Sequence, residues 1–391
     1  MPESLTDPNQ EFIYLDYNAT TPVCIEAVKA AVTAMEKGWA NPSSNHLLGR
    51  QARALLDHAR AQVADLINAR ESEILFTSGG TESNNLAIIG AAKANREKGR
   101  HIITSSIEHP SVSKVMDALA QQGWDISRVA VDQDGRVIKE EFRQALREDT
   151  VLCSIMLANN ETGAIQPIRE LAQIARSRGV LFHTDASQAV GKIPVDAKEL
   201  GVHLLTIAGH KLYAPKGTGA LFLAKETVIQ PILHGAGQEM GLRPGTEPVP
   251  QAAALGAACS QAKKLLHQEM ARQGKLKEKL LSLLLRSVPE LIIHSRNADT
   301  LPNTLFIAFP DIPAQEILSR VPSLLCSTGA ACHDDSCEPS HVLTAMGISW
   351  AIAAGSIRIS LGRYTTEKDI EQAGRLILAA VIDIQQEAVR A

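Results

Sequence analysis

The 391 residues, 45% hydrophobic and 21% charged with a formal net charge of -4, describe a soluble globular chain long enough for a large core and more than one domain. There is no basic surplus to attract nucleic acid and no apolar run of membrane-spanning length, and the start, MPESLTDPNQEF, is too acidic and polar for a signal peptide. The six cysteines are too few and too scattered for a disulfide scaffold, which points to a reducing, cytoplasmic compartment.

In chain order, Tyr14–Pro22 is a short apolar piece ending in a turn, and Ile25–Lys37 reads as a helix. Ala40–Asn45 is loop. Leu48–Asn68 is predicted as a long amphipathic helix with Leu55, Ala59, Val63 and Leu66 on one face. The strand Glu73–Ser78 then runs into Gly79-Gly80-Thr81, which opens a helix to about Lys98. Glycines allow close backbone approach, the free N–H groups and dipole of a helix start attract an anion, and Thr81 adds a hydroxyl. The join is therefore a candidate phosphate cup. Read without a ligand, it is a tight turn with Thr81 as the N-cap.

A strand His101–Ser105, a loop holding His109 and a helix Ser111–Gln122 follow, then a strand Asp125–Val131 and a helix Lys139–Leu146. Val151–Ala158 is a near-continuous apolar run of the kind found in buried parallel strands. It ends in Asn159-Asn160-Glu161-Thr162-Gly163, polar groups at the sheet edge where open α/β folds bind ligands. After a helix Ile168–Ser177 comes a strand Val180–Asp185, with Gln188 three residues beyond. Asp185 could face a positively charged ring nitrogen or simply cap a helix. Next, Gly209-His210-Lys211 follows an apolar run and precedes a Pro/Gly-rich turn. Lys211 is thus expected at the end of a buried strand, where desolvation lowers an ammonium pKa and leaves a free amine to condense with an aldehyde. The remainder alternates a long helix Pro248–Leu285, strands Leu291–His294 and Thr304–Ala308, a helix Gln315–Val321, a strand Ser356–Leu361 and a closing helix Thr366–Arg390. The chain is expected to be α/β, with a large domain over 14–257 and a smaller α+β domain over 258–391 joined by 1–13.

Successive strand ends thus offer His109, Asn160 and Asp185 with Gln188, preceded by a phosphate cup and followed by a lysine. Pyridoxal phosphate needs this set: an amine for its aldehyde, a carboxylate to keep its ring nitrogen protonated, and a helix start for its phosphate. Each element alone has an ordinary structural reading. It is their co-occurrence in this order that argues for the cofactor.

Tyr14–Pro22, Thr77–Asn85, Glu108-His109, Asn159–Gly163, His183–Gln188, Gly209–Lys211, Arg243–Glu247 and Ser356–Arg363 closely resemble the cysteine desulfurase and selenocysteine lyase family. This is the class V aminotransferase group of fold-type I pyridoxal-phosphate enzymes, whose large domain has a mostly parallel mixed sheet flanked by helices. The resemblance runs from about Phe12 to about Ile382. It implies that Lys211 holds the cofactor aldehyde, His109 stacks on the ring and takes part in proton transfers, and Asp185 contacts the ring nitrogen. It also implies Gln188 and Asn160 near the ring hydroxyl, and Gly80, Thr81 and His210 on the phosphate, joined by Thr246 from the partner subunit of a homodimer. Arg358 would clamp the substrate carboxylate, a task suited to a planar, permanently charged fork.

Where many desulfurases have a serine three positions before the lysine, this chain has Ala208. Ser323–Ser340 matches the family's catalytic loop, with Cys332 on the nucleophile. His333 would favour a thiolate, Asp334 and Asp335 would disfavour it, and Cys337 is near enough in sequence to act as a resolving thiol. The C-x5-C and C-x4-C spacings among Cys326, Cys332 and Cys337 suit structural zinc poorly. The expected reaction takes L-cysteine to L-alanine: Lys211 or His109 moves the α-proton, Cys332 attacks the substrate sulfur and keeps it as a persulfide, and an acceptor such as an iron–sulfur scaffold receives it. His333-Asp334 is more like the selenocysteine lyases, so L-selenocysteine stays open as substrate. A catalytically inactive sulfur-relay scaffold is the reading outside the enzymes.

Overall fold

In the computed structural model, residues 12–333 and 336–390 are described, the side chains of 330–338 and 389–390 excepted. After β1 (Ile13–Tyr14), α1 (Ile25–Lys37) and α2 (Leu47–Leu66), strands and helices alternate. They are β2 (Ile74–Thr77), α3 (Gly80–Ala94), β3 (His101–Ser105), α4 (Pro110–Gln121), β4 (Asp125–Val129), α5 (Lys139–Ala145), β5 (Thr150–Ser154), α6 (Ile168–Ser177), β6 (Leu181–Asp185), α7 (Ala197–Leu200), β7 (Leu204–Ala208) and β8 (Gly219–Leu223). Such alternation drives a parallel sheet with its crossover helices packed on the faces. Strands β2 to β8 form one seven-stranded sheet in the order β2-β8-β7-β6-β5-β3-β4, with β8 antiparallel to both its neighbours and the other pairings parallel. The expected α/β class with a mixed, mostly parallel sheet holds. The carboxyl ends of β3, β5, β6 and β7 consequently lie along one edge.

The second half contains α8 (Val249–Ser287), β9 (Ile292–Ile293), β10 (Thr304–Ala308), α9 (Ala314–Ser319), β11 (Leu324–Leu325), β12 (Ser327–Thr328), β13 (Ala330–His333), β14 (Ser336–Pro339), α10 (His341–Ala345), α11 (Trp350–Ala354), β15 (Ser356–Ser360) and α12 (Glu367–Arg390). An antiparallel sheet runs β12-β15-β10-β9. One apolar cluster fills one face of the large sheet and takes in Ala252–Ala262 of α8, while Leu75, Ile102, Leu152 and Leu204 pack against α3 and α4 on the other face. A second gathers Leu276, Leu280 and Leu284 of the same helix with Ile13, Leu15, Ile359 and Ile377. Pairing of β1 with β11 ties the N-terminal segment to this second cluster.

Of the local readings that differ from the sequence expectation, three bear on the site. Val151–Ala158 is strand only to Ser154. Ile155–Ala158 stays buried but leaves the ladder, its main chain bonding to His183 and Asp185 carbonyls as it turns toward the Asn159–Gly163 loop. The Pro/Gly-rich stretch after Lys211 contains an unpredicted strand, β8, because the four apolar residues Ala220–Leu223 are enough when two neighbours already supply ladders. Helix α3 begins at Gly80 with Gly79, not Thr81, as its N-cap, and ends at Ala94 rather than Lys98. Gly79 has φ +147° and ψ -175°, a conformation essentially confined to glycine, and a side chain on Gly219 of β8 would meet the Gly79 Cα at 2.7 Å. The sheet thereby packs against the phosphate-cup turn backbone to backbone.

Candidate active site

The strand ends converge on a cavity of about 370 Å³, to which Gly80, Thr81, His109, Asn160, Asp185, Gln188, Ala208, His210, Lys211 and Arg358 all contribute. Lys211 closes a 3-10 turn, Gly209–Lys211, directly after β7. Its Nζ donates to the carbonyls of Asn18 at 2.6 Å and Ala19 at 2.7 Å. Burial, reinforced by the nearby Arg358 guanidinium, lowers its pKa to about 8. A reactive fraction of free amine therefore exists near neutrality.

Asp185 ends β6 and is buried, with Oδ1 accepting from the Ser187 N–H at 2.9 Å and Oδ2 from Asn84 Nδ2 at 2.7 Å. Gln188 donates from Nε2 to the Asn18 carbonyl at 3.0 Å and accepts on Oε1 from Lys192 at 2.7 Å. A main-chain carbonyl can only accept, so the Asn18 carbonyl fixes the orientation of the Gln188 amide. Burial and the neighbouring Lys211 hold the Lys192 pKa well below the usual lysine value.

At the first turn of α3, Thr81 lies exposed beside the cavity. A β-carbon on Gly80 would stand 3.2 Å from both Ala208 Cβ and Ser187 Oγ, so this position admits no side chain without displacement. Ser187 thus brings a hydroxyl beside the methyl of Ala208. His210 is held through Nδ1 against Thr20 Oγ1 at 3.1 Å, and burial next to Lys211 and Lys216 lowers its pKa to about 4.

Arg358 reaches in from β15. Its Nη2 donates to Asp16 Oδ1 at 2.6 Å and Ser327 Oγ at 2.9 Å, its Nη1 to the Asn160 carbonyl at 3.1 Å, and its buried Nε has no partner among the described residues. The two asparagines of the Asn159–Gly163 loop divide their tasks. Asn159 shapes the loop by accepting the Glu161 and Thr162 N–H groups, whereas Asn160 lines the cavity. Behind the cavity, Asn303 is buried and donates to Asn18 Oδ1 and the Leu361 carbonyl.

The segment bearing Cys332 springs from β12, whose Ser327 pairs with Arg358 itself. Main-chain bonds from Gly329 to Ser356 and from Ser340 to Gly329 close its base. The Ser340 hydroxyl donates to Glu161, and His341 Nε2 to the Glu108 carbonyl at 3.0 Å. Between these anchors the main chain forms an antiparallel pair with Cys332 opposite Cys337. The expectations for the side chains of Cys332, His333, Asp334, Asp335 and Cys337 lie outside the described residues. Cys326 is a free thiol whose pKa burial raises to about 12, which suits packing rather than attack.

Thr246 is not among the residues lining this cavity. It is exposed and borders shallow surface depressions with Met35 and Trp39 on one side and Leu233–Gly245 on the other. Sequence reasoning missed Asn18, Lys192, Asn84, Ser111 and Ser187 as parts of the site. Asn18, Asn84 and Ser187 fall inside the motifs Tyr14–Pro22, Thr77–Asn85 and His183–Gln188, whereas Lys192 and Ser111 carry no such signal.

The donor set suits a phosphorylated, aldehyde-bearing pyridine: an amine of lowered pKa, a buried carboxylate, a side-chain-free helix start and a guanidinium fork in one cavity. Among the described residues no helix is long and apolar enough to cross a membrane, and no group of three His, Cys, Asp or Glu could hold a metal ion.

The class-V aminotransferase profile matches residues 13–373. A cysteine desulfurase IscS from Methanosarcina thermophila is 43% identical over 376 residues, spanning 96% of this chain and 92% of the relative. Cysteine desulfurase NifS from Azotobacter vinelandii is 42% identical over 95% of this chain and 93% of its own. A solved NifS-like protein superposes with a TM-score of 0.88 at 35% identity, covering 95% of this chain and 99% of the other.

Proposed function

The chain belongs to the class-V aminotransferase family, and we infer that it is a cysteine desulfurase, converting L-cysteine to L-alanine and retaining the sulfur for transfer. The observation that carries this reading is the meeting of Lys211, Asp185, the start of α3 and Arg358 in one cavity at the foot of the Cys332 segment. Relatives and cavity alike give selenocysteine no preference, and the convergence of these groups speaks against an inactive scaffold.

We assign the cofactor as pyridoxal 5'-phosphate. Bound there, it would supply an electron-withdrawing ring that takes up negative charge, first from the substrate α-carbon when its proton leaves and then from the β-carbon when the bond to sulfur breaks. Lys211 would hold the aldehyde, Asp185 the ring nitrogen, and Gly80, Thr81 and His210 the phosphate. Gln188 and Asn160 would stand by the ring hydroxyl, with His109 at the ring face. Arg358 would bind the substrate carboxylate, with Asp16 and the Asn160 carbonyl already fixing its fork. As a free amine beside the substrate, Lys211 would move the α-proton. Cys332 as thiolate then attacks the substrate sulfur. A sulfur–sulfur bond forms, the carbon–sulfur bond breaks, and its electron pair stays with the carbon skeleton, which takes up protons to become alanine.

Dimerisation is supported by the exposed apolar stripe Ile25, Val28, Val32 and Met35 on α1, continued by Trp39 and Leu47, with Thr246 next to it. Contiguous exposed apolar residues of this kind mark interaction surfaces. The sulfur acceptor would be a protein such as an iron–sulfur scaffold, and the free thiols Cys24, Cys153, Cys259 and Cys326 fit a reducing cytoplasm.

The test is alanine release from L-cysteine and L-selenocysteine under anaerobic reducing conditions. The wild type should turn over L-cysteine, Cys332→Ala should lose that activity, and Lys211→Ala should lose both turnover and the visible cofactor absorption. Cysteine turnover that survives Cys332→Ala removes the persulfide step, and turnover by Lys211→Ala sinks the whole assignment.

A further inference from the structure

His109 caps helix α4 with its own ring. Its Nδ1 accepts the Ser111 N–H at 3.1 Å and lies 2.8 Å from the Ser111 hydroxyl. The direction of the hydroxyl contact is settled further along the chain of bonds. Asp185 Oδ2 accepts from the Asn84 amide nitrogen at 2.7 Å. That same Nδ2 lies 2.8 Å from Ser111 Oγ and gives it the second amide hydrogen. Ser111 Oγ is therefore an acceptor toward Asn84, and its own hydrogen points to His109 Nδ1. Two hydrogens, one from the main chain and one from the hydroxyl, now converge on the single lone pair of Nδ1. A neutral imidazole so held carries its proton on Nε2. Nε2 itself has no hydrogen bond to any described residue, and His109 lines the cavity.

We propose that Ser111, oriented by Asn84 from Asp185, is a positioning residue that locks His109 as the Nε2–H tautomer. The cavity thus meets a hydrogen-bond donor instead of a basic lone pair. Resting on the desulfurase reading, this divides the labour that the sequence left open between two residues. Removal of the α-proton falls to Lys211, and His109 donates a hydrogen bond to electron-rich atoms of the bound molecules. Protonating Nδ1 would set an N–H against the Ser111 N–H and break the cap. The groups around the ring mostly oppose that charge as well. Burial, Lys211 and His341 disfavour it, the positive start of α4 does too, and only Asp185 favours it. A histidine kept neutral at a helix start and used as a donor is a known catalytic device.

The experiment is two-dimensional nitrogen–proton correlation spectroscopy of the imidazoles in cofactor-free protein labelled with ¹⁵N-histidine, at pH 8, with His109 assigned by its absence from His109→Gln. The expected wild-type pattern is a protonated Nε2 and an acceptor Nδ1. Ser111→Ala and, independently, Asn84→Ala should raise the Nδ1–H population at least threefold and move the His109 titration upward. Ser111→Thr, which keeps the hydroxyl, should restore the wild-type pattern. An Nδ1–H or evenly mixed ring in the wild type overturns the lock, and an unchanged pattern in both alanine variants overturns the role of Ser111. Because the measurement uses neither cofactor nor substrate, it stands or falls apart from the alanine-release assay.

Discussion

Asn18 uses all of its polar groups. Its N–H donates to Ser360 Oγ and its Nδ2 to Thr304 Oγ1 and the Asn160 carbonyl, while Oδ1 accepts from Lys192 and Asn303 and its carbonyl from Lys211 and Gln188. Because Asn18 is buried, truncation leaves several of these partners unsatisfied. Asn18→Ala should cost about 2–4 kcal/mol in urea unfolding and loosen the cofactor as well; a loss below about 0.5 kcal/mol would refute the hub. At Lys211 the prediction concerns rate. Cofactor capture by the apoprotein needs the free amine, so it should quicken about tenfold per pH unit up to about pH 8 and then level off. Absorbance after rapid mixing reads this directly, and a rise continuing to pH 10 would mean an ordinary lysine. Lys211, Asp185 and Gln188 were legible in the sequence because each follows an apolar run that buries what comes next. Ser111, Asn84 and Lys192 were not. Their meaning comes from partners brought together by the fold, as when Asn84 meets Asp185 across 101 residues.

The connection from β3 to α4 carries Glu108, whose carboxyl is fully buried. Its Oε1 accepts from Ser105 and the Met156 N–H, its Oε2 has no partner among the described residues, and burial lifts its pKa from 4.5 to about 8. In the native state this group keeps a proton that the unfolded chain has already released, so stability falls as pH rises from about 4.5 to about 8. Glu108→Gln should therefore be near neutral at pH 5 and more stable than wild type by roughly 2–5 kcal/mol at pH 8.5. Denaturant midpoints at the two pH values decide it, and an equal difference at both would show that Glu108 is ionised throughout. Among elements, α1, β3, α6 and β10 begin and end where periodicity and caps put them. Helix α2 carries Leu56, not Leu55, on its buried face, a shift of one residue that a 3.6-residue period cannot resolve without the neighbouring α8. The early end of β5 has a different cause: the chain must leave the ladder to deliver Asn160, and apolar character alone does not distinguish a strand from a buried turn.

At the scale of the molecule, the proposed dimer joins the α1 stripe to the question of Thr246. If the stripe is the contact, Val32→Asp places a charge within it. The variant should sediment as a monomer and bind cofactor at least tenfold more weakly, through loss of the partner's threonine. A dimer of undiminished affinity in Val32→Asp would move the contact elsewhere. The alternation of strands and helices made the large sheet legible from sequence. The tie of β1 to β11 was not, since it joins segments more than 300 residues apart through two-residue strands.

The Cys332 segment leaves and re-enters the fold at almost one point, because Ser340 bonds back to Gly329. Changes in its length therefore leave its base in place. Side chains alternate faces along a strand, so lengthening each arm by one residue turns the thiol to the opposite face, while adding two restores the face and moves it outward by roughly 7 Å. The span between cavity and acceptor is in this sense a graduated scale, readable in steps of four residues. Chains that share this cavity could serve acceptors of different depth by changing nothing but the count.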